Sequence, residues 1–118
     1  MAFMRLALAC MLLLMATACA HTPKGVLVLV DAHVKPTKRD AAIAGFRRSQ
    51  ARCADWPGCR RFEIGISDSD PNHVMLVEHW DSVALHKAEH ARITAQESFR
   101  AFRALLERDL VFRYLTLR

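Results

Sequence analysis

Apolar and polar positions alternate along this chain in runs that predict six elements. GVLVLVDAHV, Gly25 to Val34, is β-branched and apolar, which predicts a strand. Its first half is apolar at both parities, the pattern of a central strand covered on both faces. Lys35-Pro36 ends it, because proline has no ladder donor. A helix is expected next, capped by Thr37 with Asp40 adding charge near its N-terminus, and running to about Ala54. Ile43, Phe46, Gln50 and Cys53 form its inward stripe, with Arg47, Arg48 and Arg52 off it. Pro57 stops it. RRFEIGIS, Arg60 to Ser67, places Phe62, Ile64 and Ile66 on one face of a half-buried strand. Asp68 to Asn72 is turn chemistry, and His73 to Trp80 reads as the second arm of a hairpin. Ser82 caps a helical region that breaks near Thr94 and resumes to about Arg108, with Phe99, Phe102, Leu105 and Leu106 as its apolar stripe. LVFRYLTL, Leu110 to Leu117, is the last strand. The order β-α-β-β-α-β is the ferredoxin-like α+β arrangement: a four-stranded antiparallel sheet with its helices on one face. The bare face needs a cover, and a second copy of the same sheet is the simple one.

Ahead of this domain lies a different pattern. Arg5 precedes an apolar run from Leu6 to Met15, then Ala16-Thr17-Ala18 and Cys19. A charged start, a short apolar run and small residues make a secretory signal. The run is shorter than the about 20 residues of a membrane span, although an N-terminal anchor helix is the competing reading. Ala16-Thr17-Ala18-Cys19 also resembles the lipobox of bacterial lipoproteins, with Ala16 where leucine is usual. That resemblance implies residues 1–18 as signal peptide, Cys19 as a lipidated first mature residue, 19–24 as a tether and 25–118 as the domain. Ala20 rather than aspartate after the cysteine implies the periplasmic face of the outer membrane. Conventional cleavage near Ala18 or Ala20 without lipid is the alternative.

Charge narrows the partners only a little. A formal net charge of +5 is mildly basic, and its arginines (Arg47, Arg48, Arg52, Arg60, Arg61) fit a solvated helix face and loop better than a nucleic-acid surface. Of the four cysteines, Cys10 falls in the signal and Cys19 is the lipid candidate. Cys53 and Cys59 remain, in RCADWPGC, as either a disulfide or two buried thiols.

PNHVMLVEHWD carries the densest chemistry. By strand parity Val74, Leu76, Glu78 and Trp80 share one face, and His73, Met75, Val77 and His79 the other. Trp80 reads as a core tryptophan or as an aromatic wall, and Glu78 as a paired structural carboxylate or a proton acceptor. His86 and His90 sit four apart on one helical face; without a third ligand they read as surface histidines, and no metal site is expected.

The first strand ending in Val34-Lys35-Pro36, the motif Trp56-Pro57-Gly58-Cys59, the pair Phe62-Glu63, and Val77-Glu78-His79-Trp80-Asp81-Ser82 before a histidine-bearing helix occur in one order. Together they resemble the antibiotic biosynthesis monooxygenase domain, over Val26 to Leu117. The resemblance implies a dimeric α+β barrel, in which two sheets pack face to face and each protomer has a pocket between sheet and helices. Some relatives oxidise quinols or polycyclic phenols with O₂ and neither metal nor flavin. The resemblance therefore implies a cofactor-free monooxygenase, with His90 and then Glu78 as catalytic proton acceptors and Trp80 as a substrate-binding wall; Arg100 either binds an anionic substrate oxygen or faces water. The haem-degrading branch is not matched: the first strand has no asparagine and residues 82–108 no tryptophan. A tethered binding module for a hydrophobic ligand and an accessory lipoprotein are the other function classes this sequence accommodates.

Overall fold

The structure, a computed structural model, describes residues 24–118. The signal, the lipobox and Cys19 lie outside the described residues. No described helix is long and apolar enough to cross a membrane. The elements are β1 (Val26–His33), a 3-10 turn (Pro36–Lys38), α1 (Arg39–Arg52), a second 3-10 turn (Cys53–Asp55), β2 (Cys59–Ile66), β3 (His73–Trp80), α2 (Val83–Thr94), α3 (Glu97–Arg103) and β4 (Val111–Thr116). The strands form one antiparallel sheet in the order β2-β3-β1-β4, the ferredoxin-like α+β topology expected from the sequence.

β1 is central, as its apolar run implies, but it is not covered on both faces. Val26, Val28, Val30 and Ala32 are buried against the helices, while Leu27, Leu29, Asp31 and His33 are half-buried on the opposite face. Within one protomer both helical segments belong to one side of the sheet, so the helices supply only one of the two covers expected for β1. β3 alternates in the same way, with Val74, Leu76, Glu78 and Trp80 inward. The core joins these residues to Ala42, Ile43 and Phe46 of α1, Phe62 of β2 and Leu106 after α3. Phe102 packs edge-on to Phe46, with ring centroids 5.0 Å apart, and so ties α3 to α1.

Local boundaries follow capping chemistry. Ser82 accepts from the Leu85 N–H at 3.2 Å and starts α2, as its sequence position suggests. Thr37 does not cap α1: it lies inside the 3-10 turn, the N-cap position is Lys38, and no side chain caps it. Proline at the first position of that turn favours tight turning, which moves the helix cap one residue onward, from Thr37 to Lys38. Cys53 and Cys59 are bonded, with Cα atoms 5.3 Å apart. The loop between them turns at Gly58, whose φ of +84° is a left-handed conformation costly to any residue with a Cβ. A Cβ there would also meet the Leu85 side chain at 2.6 Å.

Replacing Leu106, 1% exposed, by alanine is expected to remove about 2–5 kcal/mol of stability. Gly58→Ala is expected to cost about 1–2 kcal/mol from backbone conformation alone. Urea midpoints at unchanged denaturant slope measure both.

Candidate functional site

Between the inward sheet face and the helices lies a cavity of about 510 Å³. Its walls are mostly aromatic and aliphatic: Trp56, Trp80, Phe46, Phe99, Phe102 and Phe112 contribute, and Arg48, Arg52 and Arg92 also line it. Each strand supplies its residue by parity. β4 turns Phe112 and Tyr114 inward because they pair with Val30 and Val28, both core residues of β1. β3 supplies Glu78 and Trp80. α2 supplies His86, Glu89, His90 and Ile93, which recur at helical spacing on its inner face.

Glu78 is 5% exposed, a carboxyl group inside an apolar wall. Its partners explain how it is tolerated. The Trp80 indole N–H donates to Glu78 Oε2 at 2.8 Å, and His86 Nε2 lies 3.5 Å from the same oxygen. On its far side His86 Nδ1 is 3.0 Å from the Tyr114 hydroxyl. Burial pushes the Glu78 carboxyl up to about 7, against the Trp80 N–H, which favours the charged form. Burial first, then the neighbouring His90 and Lys87, pushes His86 down to about 4. Burial also lowers His90, while burial and the Glu78 charge raise Tyr114. His86 is therefore neutral at neutral pH, and its 3.5 Å approach to Glu78 is a polar contact rather than an ion pair.

The donor inventory then decides the tautomer. An ionised Glu78 only accepts, so His86 turns Nε2–H toward it and accepts the Tyr114 hydroxyl at Nδ1. A protonated Glu78 can donate, which permits the opposite tautomer and reverses the bond to Tyr114. Glu78, His86 and Tyr114 thus form a polar line along the cavity wall, in which the His86 tautomer follows the protonation of the carboxylate. His90 stacks parallel to His86 at 5.9 Å between centroids and meets Phe112 edge-on at 4.7 Å. It is half-buried and lines the cavity. Trp80 is 1% exposed and stacks on Trp56 at 6.2 Å, so it is at once a core residue and a cavity wall.

The structure brings Glu78, Trp80 and His90 together around this cavity, and not Arg100. Its side chain is 85% exposed, 4.0 Å from Glu97, and outside the lining. The α3 turn that points Phe99 and Phe102 inward sends Arg100 to solvent. Arg92 lines the cavity instead and pairs with the buried Glu89 carboxylate. His86 is buried, not a surface residue, because β4 lays Tyr114 and Phe112 beside it. Sequence reasoning gave no site role to His86, Tyr114 or Trp56. The signal for His86 was the spacing of Val83, His86, His90 and Ile93 on one helical stripe; for Tyr114 it was parity with Phe112.

Fold and site together define a small α+β protein with an aromatic-walled pocket and a buried carboxylate and imidazole joined to a half-buried phenol. The sequence profile of the antibiotic biosynthesis monooxygenase family matches residues 25–105, and the chain belongs to that family. No curated protein matches the sequence. Among solved structures, a Nitrosomonas europaea protein named as a candidate antibiotic biosynthesis monooxygenase is 19% identical, with a TM-score of 0.66 over 83% of this chain and 94% of that one. A Pseudomonas aeruginosa protein is 18% identical, with a TM-score of 0.65 over 84% of this chain and 99% of its own. A Chloroflexus aurantiacus protein, also named as a candidate of this family, reaches 25% identity and a TM-score of 0.62, covering 79% and 93% of the two chains. These likenesses carry the fold.

Glu78 and His86 give stability opposite pH dependences. A raised carboxyl favours the folded state while protonated, so its contribution is lost as pH rises from 4.5 to about 7. A depressed histidine contributes fully above 6.5 and loses its contribution as pH falls toward about 4. Glu78→Gln keeps an acceptor for Trp80 and removes the first term. Relative to the native chain, the variant is expected to gain on the order of 3 kcal/mol between pH 5 and pH 8, measured by urea unfolding.

Proposed function

We propose that the protein is an exported, membrane-tethered monooxygenase that oxidises a quinol-like or phenolic small molecule with O₂ and without a bound cofactor. The observation that carries this reading is the aromatic-walled cavity with the neutral edge of His90 beside the buried Glu78 and His86 and the half-buried Tyr114. Family membership supports the reaction class. His90 takes the phenolic proton. The resulting phenolate gives one electron to O₂, and the radical pair joins at an electron-rich ring carbon. The O–O bond then breaks with loss of water. A ring CH₂ and O₂ become a carbonyl and H₂O, with one oxygen atom in each product. Trp80 and Trp56 wall the flat substrate, and the apolar lining keeps bulk water from the radical pair. Glu78, through His86 and Tyr114, sets the polarity of that wall.

The tether and the address rest on residues 1–23. Arg5, the Leu6–Met15 run and Cys19 support export with lipidation, and Ala20 after the cysteine supports an outer-membrane destination. The Cys53–Cys59 disulfide suits an oxidising compartment. A homodimer is supported by the outward sheet face, where Leu27, Leu29, Met75 and Val77 are half-buried and Val111 and Leu115 are 50% and 48% exposed. Sedimentation of the full chain in mild detergent is expected to give a dimer, and Leu29→Glu a monomer.

O₂ uptake by the full chain over a panel of hydroquinones and anthrone-like phenols tests the activity. Uptake above autoxidation is expected to survive a metal chelator. His90→Ala is expected to lower turnover by about 10²-fold or more. Trp80→Phe, which also loses the donor to Glu78, is expected to reduce it too. The apolar lining equally suits a protein that binds such a ligand without oxidising it. Saturable quenching of tryptophan fluorescence with no O₂ uptake across the panel would mark that reading.

A further inference from the structure

The outward face of the sheet holds a second group of reactive side chains, away from the cavity. Asp31 and His33 are two apart on β1, and His73 of β3 is the register partner of His33. Strand parity therefore projects all three from one face. One ligand atom from each lies within 4.8 Å of the others. His73 Nε2 is 2.5 Å from Asp31 Oδ1, and His33 Nε2 is 3.4 Å from the same oxygen. The two imidazoles stack in parallel, centroids 4.2 Å apart and planes 12° off, so both present Nε2 to the carboxylate. Side-chain exposures of 23% for His33, 28% for Asp31 and 31% for His73 leave the group open to an ion and partly shielded from water.

We propose that Asp31, His33 and His73 bind one divalent transition-metal ion of the zinc class. Two imidazole nitrogens and one carboxylate oxygen are the donors that such ions take, whereas calcium and magnesium want a shell of oxygens. With ligands about 2.0–2.1 Å from a tetrahedral ion, the donor atoms stand about 3.3 Å from one another. The His33–Asp31 separation of 3.4 Å already matches that edge. His73 must draw back from its 2.5 Å hydrogen bond by less than about 1 Å, which a side-chain rotation supplies. The cluster is out of place otherwise: the positions that precede it outward on β1 are Leu27 and Leu29, and those that follow it on β3 are Met75 and Val77. The rings have Asp31 as their shared side-chain partner among the described residues. The remaining coordination position faces outward, open to water or to a group from whatever covers this face. The ion lies across the sheet from Glu78 and His90 and takes no part in the oxygenation proposed there. The expectation of no metal site weighed the Cys53–Cys59 pair and His86 with His90, and not these three residues. Asp31-x-His33 and His73 are 40 residues apart, and only the β1–β3 register joins them.

The test is competition between the full chain, stripped with chelator in mild detergent, and a chromogenic zinc indicator. One zinc ion per chain is expected at this site, undisturbed by excess Mg²⁺. His33→Asn and Asp31→Asn are expected to weaken it by more than about tenfold, since losing even a supporting residue of a metal site costs that much. His90→Ala is expected to leave it unchanged. Cobalt offers a readout that needs no variant: d–d bands without the thiolate charge-transfer band of cysteine ligation. Absence of zinc binding, equal binding in a folded His33→Asn variant, loss in His90→Ala, or a thiolate band tracing the ion to Cys10 and Cys19 would overturn the proposal. None of these outcomes bears on O₂ uptake, so this site and the pocket stand or fall separately.

Discussion

The antiparallel register of β1 on β3 runs without a shift from Val26 opposite Trp80 to His33 opposite His73. Side chains alternate along a strand, so one register sorts every residue of both strands to a face. Inward go Val28, Val30, Leu76, Glu78 and Trp80; outward go Leu27, Asp31, His33, His73 and Val77. A slip by one residue would send Glu78 to solvent and the histidines to the core. The core valines hold the register, because only one alignment buries all of them. Both the cavity wall and the outward cluster are thus by-products of a packing requirement that concerns neither.

The same sorting imposes a cost at Glu78. A carboxyl group held against Trp80 and apolar residues of the sheet must be met by donors or stay protonated. The indole N–H and the imidazole meet it in part, and its pKa near 7 shows that burial still wins. The residue is consequently poised to change charge near neutrality, with His86 held neutral beside it. Among the described residues no buried side-chain nitrogen or oxygen lacks a partner, so this polar group is satisfied as well as enclosed. Enclosure in an aromatic lining, not exposure, sets its carboxyl apart from that of an ordinary surface acid.

Local pattern carried most of the fold. The hairpin arm His73–Trp80 and the Ser82 cap are where alternation and capping chemistry place them, because both depend on residues next to each other in sequence. The start of α1 was misread, because Pro36 and Thr37 support a 3-10 turn as readily as a helix entry. At the site, parity made Trp80 and Glu78 legible as residues of one face, and the family resemblance made Trp80 a site candidate. His90 was legible from the family pattern, whereas Arg100 was not, since its direction depends on how the short α3 rolls to bury Phe99 and Phe102.

By itself the sequence determined the order of elements and the parity of each strand, which follow from spacing along the chain, and the family, which follows from the resemblance of its ordered motifs. Tertiary structure alone decided which residues from distant segments meet. It placed the Tyr114 hydroxyl on His86 across 28 positions, and His73 on Asp31 across 42. Periodicity assigns a residue to a face but not to a neighbour. Neighbours are set by strand order, by the β1–β4 and β1–β3 registers, and by how far a helix rolls on the sheet, all of which are properties of the packed molecule.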